Sequence, residues 1–70
     1  MFYIKNILTK REFEIFNLII LGKTTNEISK CLNIDEKTVR NHISNTIQKL
    51  GVKGRTQAVI ELVKLGIFKL

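Results

Sequence analysis

Apolar residues recur along the chain in four groups at helical spacing, separated by short polar or glycine-containing breaks. In the first group Ile15, Phe16, Ile19 and Ile20 share one face, which predicts a helix from about Lys10 to Leu21. Thr9-Lys10-Arg11-Glu12 opens it as a capping box, in which the threonine hydroxyl and the glutamate carboxylate satisfy each other's backbone N–H groups. Leu8 is placed to staple onto Phe13, and Gly22 suits the left-handed position that ends a helix. Thr24-Thr25-Asn26-Glu27 repeats the capping pattern and predicts a short second helix, about Thr25 to Leu32. Ile28 and Leu32 point inward from it, and the small Ser29 beside them lets another helix cross closely.

Asn33 tolerates the left-handed conformation of a tight turn, and Ile34 is expected to plug the corner behind it. Asp35 then caps a third helix that runs to Leu50 and stops at Gly51. Val39, Ile43, Ile47 and Leu50 form its apolar stripe. Lys37, Arg40, Asn41, Ser44 and Gln48 fall on the other side, a face expected to carry no carboxylate. Its donors are of the kind that read base edges and phosphates. Two short helices joined by a tight turn, the second with a polar outer face, are the helix-turn-helix arrangement.

A fourth helix is predicted from Arg55 to about Leu65, with Gly66 as its stop. Ala58, Val59, Leu62 and Leu65 suffice to face the first three helices, which leaves Ile60 and Val63, with Ile67 and Phe68 nearby. Surplus apolar surface of this kind marks an interface. Either a second copy of the chain or the tail Ile67–Leu70 folding back would cover it, and the reading favours the second copy. Residues 1–8 form an arm too apolar to extend freely, ahead of a single domain over residues 9–70. No strand pattern appears, so the fold class is all-α, with four helices.

Seventy residues allow one thin core and no deep pocket. A net charge of +6 suits a polyanion such as nucleic acid or an acidic membrane surface. The membrane reading is weak, because no helix combines a basic face with a bulky aromatic one. Cys31 is the single cysteine, so an internal disulfide is impossible and the cytoplasm is the expected compartment. His42 has no second ligand at metal spacing and reads as a structural residue at the edge of the apolar stripe. Paired carboxylates, a nucleophile–base set and a phosphate-cradling glycine loop are all missing from the pattern. The chain is therefore not expected to be an enzyme, nor to hold a metal, cofactor or small-molecule ligand.

Several stretches resemble the LuxR/FixJ-type helix-turn-helix family: Leu8–Glu12, Glu27–Ser29, Lys37–Ile43, Lys49–Arg55 and Ala58-Val59. The resemblance runs in order and in register over about residues 8–68. It implies a four-helix domain, DNA binding through the third helix as recognition helix and dimerisation through the fourth. It also implies transcription regulation, and similarity to single-domain members acting late in spore formation points to the mother cell. Phe13, Ser29 and Cys31 depart from the family pattern, and none lies on the reading face.

Arg40, Asn41 and Ser44 match the family's base-reading positions. Chemically, arginine can fork onto guanine, asparagine can pair with adenine, and serine can do either. Thr24, Thr25, Asn26, Lys37, Thr38, Lys49, Lys53 and Arg55 are expected at phosphates, the first three because they open a helix whose free N–H groups favour an anion. Ile60, Val63 and Ile67 are the expected dimer interface. The leading expectation is a homodimeric, sequence-specific transcription regulator bound to double-stranded promoter DNA. The alternative is a protein-interaction module of the same fold that contacts RNA polymerase or another regulator without reading DNA sequence.

Overall fold

The computed structural model describes residues 7–69 as four helices: α1 (Lys10–Ile20), α2 (Thr25–Leu32), α3 (Glu36–Leu50) and α4 (Arg55–Lys64). The expected all-α architecture is present, and no strand occurs among the described residues. Most of the expected arm lies outside the described residues, but Leu8 belongs to the buried core.

Both capping boxes form. Thr9 Oγ1 accepts from the Glu12 N–H at 3.1 Å while Glu12 Oε1 accepts from the Thr9 N–H at 2.9 Å. The Thr24–Glu27 pair repeats this at the start of α2, also with bonds of 2.9 and 3.1 Å. Asp35 caps α3 by accepting the Thr38 N–H at 2.7 Å. Gly54 has no side chain to cap α4, and Gln57 instead reaches back to the Lys53 N–H at 2.8 Å. Asn33 makes the turn between α2 and α3 at φ 57°, a left-handed conformation that asparagine adopts more readily than most residues. Its own N–H and that of Ile34 both return to the Ser29 carbonyl, which fixes the turn.

Ile15 and Phe16 from α1, Ile28 from α2, Val39 and Ile43 from α3, and Ala58 and Leu62 from α4 meet in one core. Each large side chain buried there contributes about 1.5–3 kcal/mol relative to exposure. Ile47 and Leu50 continue the α3 stripe, half-buried against that core. Thr46 is buried on the same stripe, and its hydroxyl donates to the His42 carbonyl at 2.9 Å. Ser29 is buried where α2 meets α3, its hydroxyl donating to the Asn26 carbonyl.

One expectation about packing changes, at Leu65, and the C-terminal end of the chain adds contacts of its own. Phe13 stacks on Phe68, with ring centroids 4.8 Å apart and planes 18° from parallel. The tail also turns inward: the Gly66 N–H bonds the Val63 carbonyl and the Ile67 N–H bonds the Leu62 carbonyl, which buries Phe68. Leu65, expected inward, ends α4 half-buried and outside the core cluster.

One polar link joins the ends of α1 and α3. Lys49 Nζ donates to Glu12 Oε1 at 2.5 Å and to the Ile7 carbonyl at 2.7 Å. The Glu12 side chain is only 4% exposed and that of Lys49 37%. Burial pushes the Glu12 carboxyl up, but hydrogen bonds from Lys49 and Thr9 and the lysine charge outweigh it, so it sits below its ordinary 4.5. A carboxylate lowered on folding stabilises the fold fully above its ordinary, unfolded value and loses that contribution as pH falls through the folded value. Asp35 and Glu27 are lowered too, chiefly by their hydrogen bonds to Thr38 and Thr24, and act with the same sign. The urea midpoint should therefore fall between about pH 5 and about pH 3, and Glu12→Gln should flatten that slope without abolishing it. An undiminished slope in Glu12→Gln would show that the Glu12 link contributes nothing.

Candidate nucleic-acid interface

α3 reaches the surface because its neighbours hold only one side of it. Val39, Ile43 and Thr46 are buried, whereas Lys37, Arg40, Asn41, Ser44, Asn45 and Gln48 are exposed. Arg40, Asn41 and Ser44 thus lie together on the outward face, one helical turn long, close to the capped N-terminus. The α3 N-terminus sits beside that of α2, where Asn26 Nδ2 donates to Glu36 Oε2 at 2.7 Å. Arg55 at the start of α4 reaches the same place, its guanidinium 3.4 Å from Thr25 Oγ1. Thr25, Asn26 and Arg55 are therefore brought together with the first turn of α3, which holds Lys37 and Thr38.

The first-turn N–H groups of an α-helix have no partner within the helix. At α2 the Thr24 hydroxyl takes the Glu27 N–H, which leaves the N–H groups of Thr25 and Asn26 facing outward with the positive end of the helix dipole. Arg55 adds a permanent charge there. Lys53 is exposed on the turn just before it. Such a surface attracts an anion and can hold a phosphodiester backbone while α3 projects beside it.

The structure amends the outward face in one respect. A carboxylate stands on it after all: Glu36 Oε1 lies 3.4 Å from the Arg40 guanidinium, one turn away. The missed signal was the i, i+4 relation between Glu36 and Arg40, which places the two on adjacent surface.

Lys49 occupies a different position from the other phosphate candidates. Its ammonium is drawn to Glu12 and the Ile7 carbonyl, at the far end of α3 from the cluster around Thr25. The sequence marks Glu12 only as a capping residue, and nothing local signals a partner 37 positions away. Of the expected interface residues, Ile60 is exposed (50%), whereas Val63 and Ile67 are half-buried and packed against the core. Ile60 borders a shallow apolar groove of about 300 Å³ shared with Ile19, Ile20, Arg55, Thr56 and Val59.

Among the described residues no group of side chains could hold a metal ion, and no helix is long and apolar enough to cross a membrane. Cys31 is exposed and unpaired.

A capped helix presented by a two-helix turn, with an anion-attracting surface beside it, defines the class as a helix-turn-helix DNA-binding domain. The sequence model described as "Bacterial regulatory proteins, luxR family" matches residues 6–62. The chain belongs to this family and is a DNA-binding transcription regulator. It is 61% identical over 69 residues to the spore germination protein GerE of Bacillus subtilis, covering 99% of this chain and 93% of that protein. A solved structure described as transcription factor GerE superposes with a TM-score of 0.84 at 63% identity, covering 86% of this chain and 90% of that one. The transcriptional regulatory protein DegU of Brevibacillus brevis is 48% identical over 64 residues, which span 91% of this chain and 27% of that protein.

The position of Lys49 leads to a contrast with Lys37. Lys49→Met should lower stability by about 1–3 kcal/mol, between the values for exposed and buried pairs, because it strips Glu12 of its cation. It should leave the salt dependence of DNA binding unchanged, whereas Lys37→Ala should reduce the slope of log K against log salt by about 1. Urea unfolding and binding titrations across salt concentrations test both. A reduced salt slope in Lys49→Met would return that residue to the phosphate set.

Proposed function

We propose that the chain reads DNA sequence through Arg40, Asn41 and Ser44, with α3 laid in the major groove. Thr24, Thr25, Asn26, Lys37, Thr38, Lys53 and Arg55 hold the phosphate backbone and set the register. The observation that carries this reading is the joining of the α2, α3 and α4 N-termini around Asn26, Glu36, Thr25 and Arg55. An anion-attracting edge and a polar helix face in that relation match a groove with its flanking backbone. The formal charge of +6 supplies the sequence-independent part of the affinity.

The protein acts as a homodimer, each copy placing one α3 in successive major grooves about one helical turn apart. Ile60 is the centre of the contact, since it is the exposed apolar residue of α4 and borders the apolar groove. Val63 and Ile67 flank it and serve the core as well. The cellular role is control of genes in spore formation, in the mother cell and therefore in the cytoplasm, supported by similarity to the B. subtilis spore germination protein over nearly the whole chain.

Asn41→Ala and Arg40→Ala should each cost about 1–3 kcal/mol of discrimination between a selected duplex and its scrambled counterpart at fixed salt. Equal binding of the unmodified chain to both duplexes would contradict sequence reading through α3. Ile60→Glu should convert the dimer to a folded monomer in sedimentation and weaken operator binding. It is a cleaner probe than Val63→Glu, which would also disturb the core. An unmodified chain that is monomeric at high concentration and shifts no DNA would favour a protein-interaction module directed at RNA polymerase.

A further inference from the structure

Glu36 is the feature of the outward face that base reading and phosphate binding leave unexplained. A carboxylate on a surface that meets DNA is repelled by every duplex, whatever its sequence. Here both its oxygens are committed. Oε2 accepts from Asn26 Nδ2 at 2.7 Å, and Oε1 faces the Arg40 guanidinium at 3.4 Å. The neighbouring Asp35 is engaged differently, since its carboxylate caps α3 at the Thr38 N–H. Glu36 is therefore the carboxylate that links a backbone-facing residue of α2 to a base-facing residue of α3.

We propose that Glu36 is a specificity-determining residue, whose carboxylate aims Arg40 at a base edge and weakens binding to duplexes that offer Arg40 only phosphate. This rests on the reading of α3 as the base-reading helix. The acid precedes the base by four residues, the more favourable order for such a pair on a helix. Guanidinium has five N–H donors in a rigid fork, so one can be held by Glu36 while others remain for guanine O6 and N7. Without the carboxylate, the exposed arginine is free to follow the phosphates, which are the same on every sequence. Asn26 holds the other oxygen, so the aim of Arg40 is referred to the helix that grips the backbone.

Glu36→Gln preserves size and an acceptor for Asn26 while removing the charge. It should bind a scrambled duplex more tightly than the unmodified chain does, and bind a duplex selected from a randomised pool about equally. The selected-to-scrambled ratio should fall about tenfold, within the range that one base contact supplies. Glu36→Ala should move the ratio in the same direction. In an Arg40→Ala background Glu36→Gln should change the ratio by less than about twofold, because the residue it acts through is gone. An unmodified chain that discriminates alongside a Glu36→Gln variant with the same ratio would overturn the proposal and leave base reading by α3 intact. An equal fall with and without Arg40 would also overturn it. Failure of the unmodified chain to discriminate would overturn base reading itself, and this proposal with it.

Discussion

Everything that α3 presents to the outside depends on how it is held at its two ends. At its C-terminal end the Lys49 ammonium meets a glutamate carboxylate that is almost wholly buried and already caps α1. A carboxylate in such surroundings is tolerated only with hydrogen bonds and an opposite charge. Glu12 therefore ties the C-terminal end of α3 to the start of α1. At the N-terminal end Asp35 caps the first turn, and Asn26 fastens Glu36 to α2. Between these ties Val39, Ile43 and Thr46 sit in the core, and the opposite side is left for a partner.

In the proposed reading this arrangement makes the exposed face of α3 a reading surface. Base edges in a groove are met by side chains whose place relative to the phosphate backbone must be held to about 0.5 Å. In the proposed reading the joined N-termini of α2 and α4 supply that reference, because Thr25, Asn26 and Arg55 stand beside the first turn of α3. Identity of 61% over nearly the whole chain to B. subtilis GerE places the chain among DNA-binding transcription regulators.

The local rules of helix initiation and termination made most of the fold legible. Thr9, Thr24, Asp35, Asn33 and Gly51 act where their chemistry places them, because capping needs only neighbours in sequence. Contacts between distant residues were not legible. Nothing near Lys49 announces Glu12, and nothing near Phe68 announces Phe13, since both meetings depend on how four helices pack. Thr46 is not apolar and so falls outside the hydrophobic pattern, yet it lies seven residues after Val39 on the buried stripe and bonds its own helix. The breadth of apolar residues on α4 is legible and its division only partly so: Ala58 and Leu62 face the core and Ile60 faces out, but Leu65 lies outside the core cluster and Val63 packs against it. Phe68 is taken into the core, and Val63 and Ile67 pack against it, so Ile60 carries more of the exposed surface than Val63 or Ile67.

The central claim is that the exposed N-terminal half of α3 enters a major groove. Methylation interference with dimethyl sulfate on a selected duplex tests it directly, since the reagent marks guanine N7 in the major groove and adenine N3 in the minor groove. Methyl groups at guanine N7 within the site should block binding, and those at adenine N3 should be tolerated, because arginine recognises the N7 edge of guanine. Interference confined to adenine N3, or none at any position, would contradict the account.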